Sequence, residues 1–244
     1  MKSKPRIATI ALLLGLGSSI NAQISINEPF TYSDGNLVGN GGWTAHSGAG
    51  SSAVQVSSGA IVIDHGSGSR EDVGLTFTEA TSSVLSAQFD LTVNDDAAIT
   101  GTDFEYFAHF MSEGSFNFTS RLDVVAANTG GNDYTLGLAT TSSTAEATYA
   151  TDLTFGETYS IVLSYNFATG LSSLTVDGGA TISSTSVVFQ GGLDRFALRQ
   201  SDSSSDETIT VDNLVITGVP ESGTFALLAG LSTLTFVMLR RRES

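Results

Sequence analysis

Between Gln23 and Gly218 the apolar positions recur with a period of two, and no stretch keeps helical spacing. Leu85, Ala87, Phe89, Leu91 and Val93 alternate with Ser86, Gln88, Asp90 and Thr92, the signature of a half-buried strand. Tyr159, Ile161, Leu163 and Tyr165 repeat the pattern, with Ser160, Ser164 and Asn166 turned outward. Leu174 and Val176 flank Thr175, and Asp177-Gly178-Gly179 then supplies residues that tolerate positive φ in a tight turn. Ile61, Val73 to Phe77, Phe104 to Phe110, Leu122 to Val125, Tyr134 to Leu138, Phe196 to Leu198 and Ile209 to Ile216 complete the series. The pattern predicts about a dozen short strands separated by Gly, Ser, Thr and Asn. So many strands without helices bury their apolar faces only by closing into an antiparallel sandwich or barrel. Prolines occur only at 5, 29 and 220, so the strands run uninterrupted, and residues 23–218 read as one all-β domain.

The ends depart from this pattern. Lys2, Lys4 and Arg6 precede an apolar run from Ile7 to Leu16 and a polar stretch ending in Ala22, the three parts of a secretory signal peptide. Cleavage after Ala22 would leave Gln23 as the first mature residue. At the other end Pro220-Glu221 precedes a 15-residue apolar stretch, 225–239, and then Arg240, Arg241 and Arg242. As a helix it would span roughly 22 Å against a hydrocarbon core of about 30 Å, short enough to need local thinning. The arginines would hold its end at the cytoplasmic surface and leave the body outside. A buried amphipathic helix is the competing reading, but no polar face runs along the segment.

Taken together, residues 219–244 resemble the PEP-CTERM sorting signal: a proline-glutamate motif, a short membrane helix and an arginine cluster at the C-terminus. The resemblance implies retention in the inner membrane and processing by an exosortase, after signal peptidase has acted at the N-terminus. Ser222 stands where the motif usually carries its second proline. A second resemblance lies in the body. Thr158 to Gly179, with Thr169-Gly170 and Leu174-Thr175-Val176-Asp177-Gly178, is similar to a hairpin of laminin-G-like, concanavalin-type jelly rolls. Ile209 to Ile216 looks like the strand that closes such domains and pairs beside the first.

Composition narrows the partners. There is no cysteine, which removes disulfides, thiolate metal sites and cysteine nucleophiles. The formal charge is −15, and six of the ten basic residues lie in the end segments. The body keeps Arg70, Arg121, Arg195 and Arg199 and has no lysine. A nucleic-acid backbone needs a basic face to displace its counterions, so nucleic acid is excluded as a partner, and anionic lipid is excluded for the body.

Catalytic chemistry is not legible. The paired strand carboxylates of a retaining glycosidase are missing; Glu71, Asp72, Asp103 and Glu105 read as solvated acids, and no catalytic residue is assigned. His46 and His65 read as loop residues, and His109 either faces a groove or is satisfied within its strand. None has zinc-motif spacing. No Gly-x-Ser-x-Gly elbow occurs. Asp95 and Asp96, and Asp202 and Asp206, offer hard oxygen ligands in two acidic loops, a candidate for calcium. Trp43, after Gly39-Asn40-Gly41-Gly42, is the candidate sugar platform, with core packing as the competing reading. Phe104, Tyr106 and Phe110 share parity and read as one core face.

The expectation is therefore an exported envelope or extracellular-matrix protein of structural or interaction type, not an enzyme, with weak carbohydrate contact and extracellular polysaccharide as partner. The competing readings are a polysaccharide hydrolase or lyase, which needs convergent carboxylates or a histidine–tyrosine pair on one sheet face, and a calcium-dependent adhesin.

Overall fold

The alternation read from Leu85 to Val93 marks the central strand of the larger sheet. In the computed structural model, which describes residues 23–95, 97–100, 105–112 and 117–219, this segment is strand β7 (Val84–Asn94), numbered like the others in chain order. Its odd-numbered residues from Leu85 to Val93 are buried, because one face of the strand meets a second sheet and the other does not.

One sheet has nine strands. Its order is β14 (Ile182–Ser183), β13 (Leu171–Val176), β12 (Thr158–Asn166), β7, β16 (Thr208–Val219), β5 (Ala60–Asp64), β4 (Gln55–Ser57) and β2 (Gly35–Asn36), with β1 (Ile24–Glu28) also on β16. The other has seven, in the order β11 (Ala147–Thr148), β10 (Thr135–Ala139), β9 (Thr119–Val125), β8 (Tyr106–Met111), β15 (Leu193–Leu198), β6 (Asp72–Ala80) and β3 (Trp43–Ser47). All these pairings are antiparallel, and among the described residues there is no helix. The predicted hairpin is β12–β13, in register from Ile161↔Val176 to Asn166↔Leu171, and Asp177 and Gly178 after it both have positive φ. The predicted closing strand is β16, which pairs with the first strand from Ile24↔Gly218 to Glu28↔Leu214.

The core lies between the sheets. Phe89 of the nine-stranded sheet meets Phe107 and Phe196 of the other at ring-centroid distances of 6.4 and 6.0 Å, and Phe196 meets Phe110 at 5.7 Å. Offset and edge arrangements at such spacing suit the aromatic quadrupole. Trp43 belongs to this core: it is 1% exposed and packs against Phe30 at 6.1 Å, so its ring offers no platform to a sugar.

The signal segment with Ala22, the sorting tail from Pro220 and Glu221 through 225–239 to Arg240, Arg241 and Arg242, and Asp96, Asp103 and Phe104 lie outside the described residues.

Candidate functional site

A β-bulge sets which side chains of β8 leave the core. Tyr106 pairs with Asp123 and Ala108 with Leu122, so β8 advances two residues where β9 advances one. The extra residue breaks the period of two. Phe107 and Phe110 therefore both point inward, while Tyr106 and His109 stand on the outer face. The common face expected for Tyr106 and Phe110 is thus corrected by the bulge.

The neighbouring strands add to that face in register. Arg195 pairs with Thr76 and Met111, and Ala197 with Gly74 and His109, while Phe196 pairs with Leu75 and Phe110 on the core side. Arg121 and Asp123 alternate with the core residues Leu122 and Val124 on β9. Three of the body's four arginines thus reach one sheet face, together with His46 from β3.

These side chains are in mutual contact. The guanidinium carbons of Arg121 and Arg199 lie 4.6 and 4.4 Å from the Tyr106 ring centroid, and that of Arg121 lies 5.4 Å from Phe118. Such distances permit cation–π attraction, which strengthens where water is excluded. His109 sits 5.5 Å from Tyr106, 4.5 Å from Phe118 and 6.1 Å from His46, centroid to centroid. Asp72 pins the strand end that carries Arg199: its Oδ1 accepts from the Gln200 and Ser201 backbone N–H groups at 2.9 and 3.2 Å and from the Ser201 hydroxyl at 2.9 Å. A cleft of about 500 Å³ opens onto this cluster, lined by His46, Asp72, Tyr106, Phe118, Arg199 and Asp202 among others.

Burial governs the charges. It holds the His109 pKa well below the usual histidine value, with His46, Arg121 and Arg199 adding to the effect, and it lowers His46 as well. It raises that of Tyr106 against the pull of the two arginines. The face therefore presents neutral imidazoles, a neutral phenol and fixed guanidinium charge.

The other sequence candidates are placed differently from expectation. His46 is a strand residue rather than a loop one. His109 is fully buried, and neither ring nitrogen has a hydrogen-bond partner among the described residues, so it is not the satisfied strand histidine there. His65 follows β5 directly and is fully buried, its Nδ1 2.8 Å from Glu207 Oε1 and its Nε2 3.0 Å from the Arg199 carbonyl. Glu71, Asp72 and Glu105 are buried, not solvated. They accept from loop donors that would otherwise be orphaned: Glu71 from Gly50 and Val54 N–H at 2.8 and 3.1 Å, and Glu105 from the Ser204 N–H at 2.9 Å and the Ser203 and Ser204 hydroxyls.

Of the calcium candidates, Asp202 and Asp206 are exposed and Asp95 half-buried, its Oδ1 3.4 Å from the Ala97 N–H. The Asn94↔Thr208 pairing brings the two acidic loops to one end of the sandwich. Among the described residues, however, the group whose ligand atoms converge is His65, Glu105 and Glu207. Sequence reasoning missed Arg121, Tyr106 and Arg199. The available signal was that arginine is the sole basic residue type in this body, with Arg195 and Arg199 at the parity opposite Phe196 and Leu198.

The architecture has known counterparts. The chain is similar to basic winged bean lectin, solved with Tn-antigen, with a TM-score of 0.56 at 9% identity over 80% of this chain and 98% of that one. Peanut lectin gives 0.53 at 14% over 81% and 98%. The carbohydrate recognition domain of Emp47p gives 0.52 at 13% over 80% and 95%. The fold is thus an antiparallel two-sheet sandwich matching a lectin-like jelly roll, the architecture that the hairpin and closing strand implied. Neither a family model nor a curated protein sequence matches the chain.

Proposed function

We propose that the chain is an exported envelope or matrix protein that binds carbohydrate on the outer face of its seven-stranded sheet. The observation that carries this reading is the Tyr106 ring shared by Arg121 and Arg199 at the cleft. Planar guanidinium donors bridge adjacent sugar oxygens and match a carboxylate bidentately. Acidic glycans, with uronate carboxylates, are the better chemical fit to the arginines. The lectins of similar fold support the same reading by likeness of architecture alone.

Export and retention rest on the two ends: a leader cleaved between Ala22 and Gln23, and an exosortase-type tail entered at Pro220-Glu221 and closed by Arg240 to Arg242. The test is a glycan array with the full chain, set against Arg199→Ala and Arg121→Ala. Retention of acidic glycans that falls in both variants is expected; equal binding by all three chains ends the proposal. A reporter fused after Ser244 checks the topology, and is expected on the cytoplasmic side before processing.

A second reading, β-elimination of a uronate polysaccharide, is favoured by Tyr106 and His46, which line the same cleft with Arg199. An arginine would neutralise the uronate carboxylate, the neutral imidazole would take the proton α to it, and the phenol would protonate the leaving oxygen. Ultraviolet absorbance from the new C4–C5 double bond, followed with polyuronates, separates this reading from binding alone.

A further inference from the structure

Away from the cleft, three ionisable residues meet in the interior. Asp64↔Thr208 is the end pair of β5 and β16, so His65 and Glu207 follow and precede paired residues, and the His65 N–H donates to the Glu207 carbonyl at 3.1 Å. Glu105 precedes β8 on the other sheet, anchored where its carbonyl accepts from Val124 N–H at 3.1 Å. All three side chains are fully buried, and one ligand atom from each lies within 4.8 Å of the others.

The hydrogen bonds assign the atoms. The partner of His65 Nε2 is a carbonyl, which only accepts, so Nε2 carries hydrogen and donates to Arg199 O at 3.0 Å. Nδ1 then faces Glu207 Oε1 at 2.8 Å, and a proton or a metal cation must lie between two such lone pairs. Glu207 Oε2 is buried without a partner among the described residues, a costly state for a carboxylate oxygen. The charge count points the same way. A single proton leaves two buried carboxylates and an imidazole with a net charge of −1, whereas one divalent cation in its place brings the group to zero.

From these observations we infer that His65 Nδ1, Glu207 and Glu105 form a binding site for one divalent transition-metal ion of the zinc type. Imidazole with two carboxylates is a donor set for such ions, while calcium takes six to eight oxygens and not an imidazole nitrogen. The outer shell is in place: Nε2–H is held by the Arg199 carbonyl, and Glu105 by Ser203 and Ser204. An ion there would tie β5 and β16 of one sheet to β8 of the other in a chain without cysteine. It would also sit beneath the cleft, since Glu105 precedes Tyr106 and His65 holds the backbone of Arg199.

The test uses the full chain, stripped with chelator and returned to Zn²⁺, Ca²⁺ or no metal. Mass-spectrometric metal analysis is expected to give one zinc per chain, and Zn²⁺ at a hundredfold excess over its Kd to raise the melting midpoint by about 5–10 °C, with no shift from Ca²⁺. Glu207→Gln and Glu105→Gln, close in shape to the native residues, are expected to lose the bound zinc, and His65→Gln likewise. His46→Gln is expected to keep it, because the remaining histidines, His46 and His109, lie on the outer face. The proposal is overturned if the native chain holds no zinc and does not shift, if Glu207→Gln still binds a full equivalent, if His46→Gln loses it, or if Ca²⁺ stabilises as Zn²⁺ does.

Discussion

Arg199 lies with its guanidinium carbon 4.4 Å from the Tyr106 ring centroid and directs Nη1 to the Tyr106 carbonyl at 3.4 Å. The ring is thereby committed to two cations, since Arg121 also lies against it. This arrangement keeps positive charge on one face of a chain whose formal charge is −15. It predicts that ring and hydroxyl matter differently. Tyr106→Phe keeps the ring and should cost less than about 1.5 kcal/mol, as for other shape-conserving changes. Tyr106→Ala removes the ring and should cost about 3–5 kcal/mol, with loss of glycan binding. Urea denaturation of both variants beside the native chain measures the difference, and similar costs would refute the role given to the ring.

Acid should destabilise the protein from about pH 6.5 downward, where histidines of the unfolded chain begin to take up protons. Burial depresses the folded-state pKa of His109 and of His46, so between the unfolded and folded values the unfolded chain binds more protons and stability rises with pH. The stabilisation is thus complete above the unfolded pKa and is lost as pH falls toward the folded one. Each histidine contributes at most about 1.4 kcal/mol per pH unit in that window. His109→Leu should flatten the acid limb of a stability–pH curve; an unchanged slope would show that His109 titrates normally.

Trp43→Ala should cost about 3–5 kcal/mol by opening a cavity beside Phe30. Glycan affinity, measured well below the variant's midpoint, should stay at the native level, because the indole is 1% exposed and remote from solvent. A selective loss of affinity at native stability would return Trp43 to the binding surface.

Gly74 leaves room for an arginine. A Cβ built there would stand 2.5 Å from Cδ and 2.9 Å from Cγ of Arg195. Gly74→Ala should therefore displace the Arg195 stem at a cost of about 1–3 kcal/mol, typical of overpacking. Unfolding should stay cooperative while acidic-glycan affinity falls. Native affinity in Gly74→Ala would show that Arg195 lies outside the binding surface.

The sequence disclosed the sheets better than the site. At Leu85 to Val93, a strand with one buried face must alternate, and it does, so the pattern is readable in a single line of residues. On β8 the same rule fails, since the extra residue between Tyr106 and Ala108 reverses which parity faces the core. Glu71 and Asp72 are indistinguishable in sequence from the many surface acids. Their burial follows from the loop N–H groups that they satisfy, at Gly50, Val54, Gln200 and Ser201.

What the sequence determined by itself is the periodic and compositional part: an all-β body, a β12–β13 hairpin, a closing strand and a body with four arginines and no lysine. Those properties are local or additive, so neighbouring residues suffice to state them. The tertiary structure alone decided that Arg121 and Arg199 meet at Tyr106, and that His65, Glu105 and Glu207 meet in the interior. The reason is that strand order in a sandwich does not follow chain order. β8 lies between β9 and β15, and β16 pairs with β5, so residues as far apart in the chain as His65 and Glu207, 142 positions, become hydrogen-bonded neighbours.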